Sequence, residues 1–156
     1  MSDWPTHPRG VAAEDLLAAV LQTLAQPVWV VDRDGRIRFA NPAALAALGY
    51  DALDELLGRP SHETIHHHRP DGRPYPAAEC PMLLPRTTGA RVARELDWFF
   101  RRDGSTFPVS YVSVPLELPG GRGAVVAFTD IERRAHDDER LRRREAALTR
   151  QHAALR

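Results

Sequence analysis

With 156 residues, the chain is long enough to bury one real core but not several, so it reads as one domain with extensions. Its 21 basic residues, all arginine, are matched by 21 acidic ones, which excludes a global pull toward nucleic acid or an anionic membrane. The lone Cys80 cannot form an internal disulfide, the cysteine usage of a cytoplasmic protein, and no apolar run is long enough to be a signal peptide or a membrane span.

Residues 1–10 carry Pro5, Pro8 and Gly10 with little apolar pattern and are expected to be a disordered lead. Over 11–25, Leu16, Leu17, Val20, Leu21 and Leu24 recur at helical spacing and predict a flanking helix. The stretch 27–50 then reads strand, tight turn, strand, helix. Val28–Asp32 is a β-branched and aromatic run. Asp34-Gly35 is a strong hairpin signal, because glycine tolerates the positive φ that a tight turn demands. Ile37 and Phe39 alternate with Arg36 and Arg38, as expected of a half-buried strand. Asn41 stands before Pro42, the order of an N-cap and a first helical residue, Ala44, Leu45 and Leu48 form the apolar stripe, and Gly49 stops the helix. Asp51 is expected to cap a second helix with Leu53, Leu56 and Leu57 inside and Gly58 at its end.

Residues 59–90 are punctuated by Pro60, Pro70, Pro74, Pro76, Pro81 and Pro85, which forbid long helices. A short turn is expected at 61–67, an extended loop through 69–76 and a short helix around 77–84. Three chemistries compete here. His62-Glu63-Thr64-Ile65-His66 fits H-E-x-x-H, the zinc-hydrolase pattern of two imidazoles on one helical face with Glu63 as general base, but the helix is pinched between prolines and no strong third ligand follows. His62, His66, His68 and Cys80 are borderline and soft ligands within a short span, suited to zinc or iron. In the third reading, which we favour, the histidines and the loop Asp71-Gly72-Arg73-Pro74-Tyr75-Pro76 brace each other by hydrogen bonds, with Cys80 as small apolar filler. The histidines also titrate near neutrality and would suit a pH sensor.

Three further strands follow. In 94–101, Leu96, Trp98 and Phe100 alternate with Glu95, Asp97 and Phe99, so an aromatic face is expected to look inward. Arg102-Asp103-Gly104-Ser105 is a hairpin turn. Thr106–Leu116 sets Phe107, Val109 and Tyr111 against Ser110, Val112 and Val114, apolar in part on both faces as in a central strand. Pro119-Gly120-Gly121 turns the chain into a last strand at 123–129. Beyond it, Leu141, Leu148 and Leu155 lie one heptad apart with charged flanks, the pattern of a short coiled-coil seam.

The spacing D-x-x-G-x-I-x-x-x-N-x-x-A-x-x-x-x-G-Y, carried by Asp32, Gly35, Ile37, Asn41, Ala44, Gly49 and Tyr50, resembles the opening half of a PAS domain of the bacterial sensor type. Residues 101–116 and 120–134 are similar to its last three strands and closing D-I-T motif, here Asp130-Ile131-Glu132, without the Thr. The arginine, alanine and proline enrichment matches a GC-rich bacterial genome.

This resemblance implies an α+β fold: a five-stranded antiparallel sheet with helices on one face over 26–132, an N-terminal flanking helix, and an exit helix over 133–156 serving as a coiled-coil linker. It implies a cavity lined by Leu45, Leu48, Ile65, Met82, Leu83, Phe100, Val126 and Phe128 that takes a small molecule in some members. It implies that Asp130 pairs with Arg133 at the exit, and that Leu141 and Leu148 relay the signal. The expected function is a non-catalytic sensory and dimerisation domain, a homodimer through its flanking helices. It would report ligand, pH, redox state or partner to an effector in signal transduction, two-component or transcriptional control. A haem- or metal-binding redox or gas sensor is the alternative, since some members bind haem through a histidine in this region. The cysteine helix of a flavin-adduct photosensor is absent. A helix trailing to Arg156 suits a piece cut from a larger sensor as well as a small stand-alone protein.

Overall fold

A computed structural model describes residues 13–155; the lead expected at 1–10 lies outside the described residues. Helix α1 (Ala13–Thr23) precedes β1 (Val28–Val31) and β2 (Ile37–Ala40). The turn between the strands closes with the Gly35 N–H donating to Asp32 O (3.0 Å), while Asp32 Oδ1 accepts from the amides of Asp34 and Arg36. Helix α2 (Pro42–Leu48) ends on Gly49, whose φ of 80° lies in the left-handed region that favours glycine. Short helices α3 (Ser61–Ile65) and α4 (Leu84–Thr88) follow, with 3₁₀ turns at Leu53–Glu55, Ala77–Glu79 and Pro81–Leu83. Strands β3 (Val92–Phe100), β4 (Thr106–Leu118) and β5 (Gly121–Asp130) and the long helix α5 (Ile131–Ala154) complete the chain.

The five strands form one antiparallel sheet in the order β2-β1-β5-β4-β3. Strands β2 and β3 are therefore opposite edges, and the chain between them has to cross the sheet. That crossing segment carries α2, α3 and α4 over one face. Trp29, Phe99 and Phe128 meet there with ring centroids 5.3–5.4 Å apart, and Phe107, Tyr111, Val126, Leu48, Leu56, Ile65 and Met82 close the core around them. Gly123 lets β5 lie beside β1: a Cβ there would stand 2.1 Å from the Val31 carbonyl oxygen.

Asn41 ties the first strand to the first helix. It is fully buried; its Oδ1 accepts from the amides of Val28 and Ala44 (both 3.0 Å), and its Nδ2 donates to Gln26 O (2.8 Å). One amide side chain thus caps α2 and completes the start of β1.

Two expectations are corrected. The edge strand β3 turns the other face inward: Phe99 is fully buried, Asp97 is largely buried, and Leu96 stands 62% exposed. The β3–β4 register shifts between Arg94 and Asp97, and a bulge of this kind exchanges the two faces of a strand. Phe100 therefore lies outside the core. Nor does Asp51 cap a second helix. Glu55 Oε2 reaches back to accept from the amides of Asp51 and Ala52, over one 3₁₀ turn, and Leu57 remains 42% exposed while Leu56 is buried.

The flanking helices leave their apolar positions uncovered. Leu16, Leu17, Val20 and Leu24 around α1, and Leu141, Leu148 and Leu155 along the α5 end, are 40–80% exposed. On the sheet face away from the core, Val30, Val112, Val114, Val125 and Ala127 are only half-buried.

Asn41→Ala strands the buried Val28 amide and removes the α2 cap. Losing the cap costs about 1 kcal/mol and a stranded buried donor about 1–3 kcal/mol, so urea denaturation should show a loss of about 2–4 kcal/mol with an unchanged denaturant slope.

Candidate functional site

Residues 59–90 fold into a wall held by side chains. Pro60 bridges to Arg36, and the Ser61 amide donates to Gly35 O (2.9 Å), which docks the start of α3 on the β1–β2 hairpin. His62 lies in α3. His66 follows four residues later at its C-terminus, where φ of −134° takes the chain out of the helix. This spacing puts both rings on the inner side. The chain then doubles back: His68 bridges to Pro74, and the Tyr75 amide donates to His67 O (2.9 Å), which lays Tyr75 over the histidines. Arg69 caps that ring, its guanidinium 4.1 Å from the centroid, and pairs with Glu79 at 3.0 Å. Cys80 sits between two 3₁₀ turns and faces inward.

His62, His66 and Cys80 converge. All three are buried, and one donor atom from each lies within 4.8 Å of the others. His66 Nδ1 is 3.3 Å from Cys80 Sγ, and His66 Nε2 is 3.0 Å from Asp97 Oδ1 on β3. His62 Nε2 is 2.6 Å from the Tyr75 carbonyl oxygen. A carbonyl only accepts, so His62 carries a proton on Nε2, and in the neutral ring Nδ1 presents a lone pair. That Nδ1 is buried without a partner, as are Tyr111 Oη and Trp29 Nε1.

The electrostatics follow from this geometry. Burial opposes charge on His66, but the Asp97 carboxylate, then the Cys80 sulfur, outweigh it and lift the ring to about 9. Burial likewise opposes the Cys80 thiolate, but His62 and His66 outweigh it and bring the thiol down to about 7. Burial opposes charge on His62 too, yet Cys80 and the Tyr75 carbonyl push it upward. His67 moves down, through burial and then the neighbouring histidines.

Of the four residues proposed from the sequence as metal ligands, the structure brings three together. His68 is left out: its Nδ1 faces His67 Nδ1 at 2.7 Å, beside the ring of Phe100, because the chain has already turned away at His66. Glu63 points to solvent, so the would-be general base of H-E-x-x-H is not beside the histidine donors. The sequence reading missed Asp97 and the Tyr75 carbonyl. Asp97 carried a signal, as an acid in an otherwise apolar strand. The His66 ring lies beside those of Tyr75 and Phe99, with centroids 4.5 and 5.8 Å away.

The expected cavity residues lie mostly in the core. Leu48, Ile65, Met82, Val126 and Phe128 are buried at 1% exposure or less, and Leu45 and Leu83 pack against them. Phe100 does not join them: the β3 register turns it away, and its ring lies tilted against His67 with centroids 4.2 Å apart. An open groove of about 610 Å³ lies elsewhere, between Ala43, Ala46 and Ala47 of α2 and Arg133, Arg134, Asp137 and Asp138 of α5.

At the exit, Asp130 Oδ1 accepts from the Arg133 amide and caps α5 (3.1 Å), while Oδ2 pairs with the Arg101 guanidinium (3.3 Å). The ionic partner is therefore Arg101 and not the expected Arg133, which contributes its backbone. Arg101 also donates to Ala47 O at the end of α2 (3.3 Å) and stacks on Phe107 at 4.2 Å. It lies in the β3–β4 connection, far from Asp130 in sequence, and only the sheet brings the two together.

The His66–Cys80 pair predicts a pH window for the metal-free protein. The fold raises the proton affinity of His66, so its stabilising contribution is complete below pH 6.5 and is lost as pH rises through about 9. The fold lowers that of Cys80, so its contribution is complete above pH 9.0 and is lost as pH falls through about 7. A thiolate–imidazolium pair is populated between about pH 7 and about 9. Ultraviolet thiolate absorption, free of background from any other cysteine, should rise with a midpoint near pH 7. His66→Gln should move that midpoint up, toward the ordinary 9.0; an unmoved midpoint would refute the pairing.

Comparison with known proteins agrees with this architecture. The PAS fold family matches residues 15–131. A PAS domain of an HTR-like protein from Haloarcula marismortui is 25% identical with a TM-score of 0.57, covering 76% of this chain and 91% of that one. The PAS domain of nitrogen regulation protein NR(II) from Vibrio parahaemolyticus is 19% identical with a TM-score of 0.60, covering 74% and 98%. An RNA-binding light-oxygen-voltage receptor is 21% identical with a TM-score of 0.62, covering 97% of this chain and 43% of that one. Comparison with curated proteins finds no match. Strand order, the crossing wall of short helices, the capped exit helix and the family match over most of its length together make this chain a member of the PAS domain family.

Proposed function

We propose that the chain is a non-catalytic sensory domain that forms a homodimer and passes a change in its 59–90 wall to an effector through α5. The observation that carries this reading is the joint at Asp130. One carboxylate caps α5 and pairs with Arg101, and Arg101 in turn grips the end of α2 and the ring of Phe107 in the core. A displacement of the wall or of β3 alters the position of Arg101, and hence the cap on the exit helix. Signal relay in this sense needs two states of the joint that a stimulus binds or populates differently.

The flanking helices support the dimer. Leu141, Leu148 and Leu155 lie one heptad apart and exposed, and the sheet face away from the core is apolar and half-covered. Among the described residues no helix is long and apolar enough to cross a membrane. Matched sensor-protein domains, among them one of a two-component sensor histidine kinase, suggest a kinase-type effector by analogy of fold alone.

Two measurements test the reading. Sedimentation should show a dimer that Leu141→Glu with Leu148→Glu converts to a monomer of unchanged far-ultraviolet circular dichroism; a wild-type monomer at all concentrations sinks the dimer. Amide hydrogen exchange of Arg101→Gln should be faster in the first two turns of α5, with the interior of β4 and β5 protected as before. Unchanged exchange in those turns would remove Arg101 from the relay.

A further inference from the structure

We propose that His62 Nδ1, His66 Nδ1 and Cys80 Sγ form a binding site for one divalent d-block cation of the zinc class. The proposal stands apart from the relay: it concerns what the wall holds, not what the exit helix does.

Tautomers come first. Tyr75 O takes the His62 Nε2 proton, and Asp97 Oδ1 takes that of His66 Nε2. In each ring Nε2 is engaged by an oxygen acceptor, which leaves Nδ1 as the nitrogen available to an ion; His66 Nδ1 already lies 3.3 Å from Cys80 Sγ. Metal-bound histidines are held in this way, with the distal N–H donated to a carboxylate or a backbone carbonyl that fixes tautomer and orientation. The wall supplies one partner of each kind.

The spacing fits an ion. Zinc holds nitrogen at about 2.0–2.1 Å and sulfur at about 2.3 Å, which in tetrahedral geometry separates the ligand atoms by roughly 3.5 Å. The His66 Nδ1–Cys80 Sγ distance is 3.3 Å, and the whole donor set lies within 4.8 Å. Small rotations of the rings bring all three into range.

The second observation is the His62 Nδ1 lone pair. His62 is 4% exposed, and this nitrogen has no partner. A buried acceptor left unpaired is costly, and a cation at the centre of the donor set satisfies it. Two imidazoles and a thiolate are the donor chemistry of zinc, cobalt and copper, not of calcium or magnesium. The protons balance. One proton lies between Cys80 Sγ and His66 Nδ1; the incoming ion takes its place, forms one bond to sulfur and one to each Nδ1, and releases that proton to solvent. A non-protein ligand fills the fourth position.

The test is titration of metal-free protein with cobalt(II), followed by competition with zinc. A thiolate-to-cobalt charge-transfer absorption should saturate at one ion per chain, with one proton released, and zinc should displace it. His62→Gln keeps a side-chain N–H for Tyr75 O while deleting Nδ1, and should weaken binding more than tenfold. Asp97→Asn should weaken it by ~10–100-fold, the usual effect of an outer-shell partner. Cys80→Ser should abolish the charge-transfer band, and His68→Ala should change nothing. Circular dichroism checks each fold. Absence of the band in folded wild-type protein overturns the site. So does full affinity in folded His62→Gln, or loss in His68→Ala matching that in His62→Gln, which would mark capture by the histidine run at large.

Discussion

The side-chain fastening of a proline-rich wall is the constraint on which this domain depends. Prolines at 60, 70, 74, 76, 81 and 85 remove main-chain donors and keep every helix between residues 59 and 90 to about one turn. Such a segment has few and mostly local backbone bonds, among them those from the Ser61 amide to Gly35 O and from the Tyr75 amide to His67 O. It is held by His66, which grips Asp97 on the edge strand and Cys80 on the wall, by His62 on Tyr75 O, by Ser113 Oγ donating to Met82 O at 2.8 Å, and by Arg86 on Arg33 O. These polar fastenings act together with the burial of Ile65, Cys80 and Met82 in the core to keep the cover over Trp29, Phe99 and Phe128 in place.

That dependence bears on sensing. A wall fastened by His62, His66 and Cys80 carries titratable and nucleophilic groups that an apolar helix wall lacks. The sheet beneath is different in kind. Its central strands β1, β5 and β4 are joined by unbroken ladders, and its inner face is packed with aromatic rings at 5–6 Å spacing. The domain thus sets a chemically adjustable cover on a stiff base. Stiffness is what would carry a local change to a distant edge.

The exit from the sheet is organised by charge. Asp130 ends β5 and begins α5, and its carboxylate serves the helix N-terminus and Arg101 at once. Past that joint α5 has no buried residue, so its orientation depends on the cap, on the first turns over β4 and β5, and on whatever covers its leucines.

Much of the fold was legible in local chemistry. The Asp32–Gly35 turn, the Asn41-Pro42 cap, the Gly49 stop and the alternation of Phe107, Val109 and Tyr111 are decided by residues within a few positions of one another, and each stands where the sequence places it. The closeness of His62 and His66 was likewise readable, as helical spacing sets them on one side. What the sequence could not decide are the pairings between segments far apart. In β3, Leu96, Trp98 and Phe100 are the more apolar set, yet a bulge turns Asp97 and Phe99 inward, and Asp97 is accepted there because His66 waits for it 31 residues away in sequence. Asp130 had an arginine three residues on, but the sheet delivered Arg101 from the other hairpin. His68 belongs to the same histidine run as His66, and the backbone leaves it outside. Periodicity and capping are local and survive in the sequence; the partner of a buried charge is chosen by the crossing of chain segments, which only the tertiary structure decides.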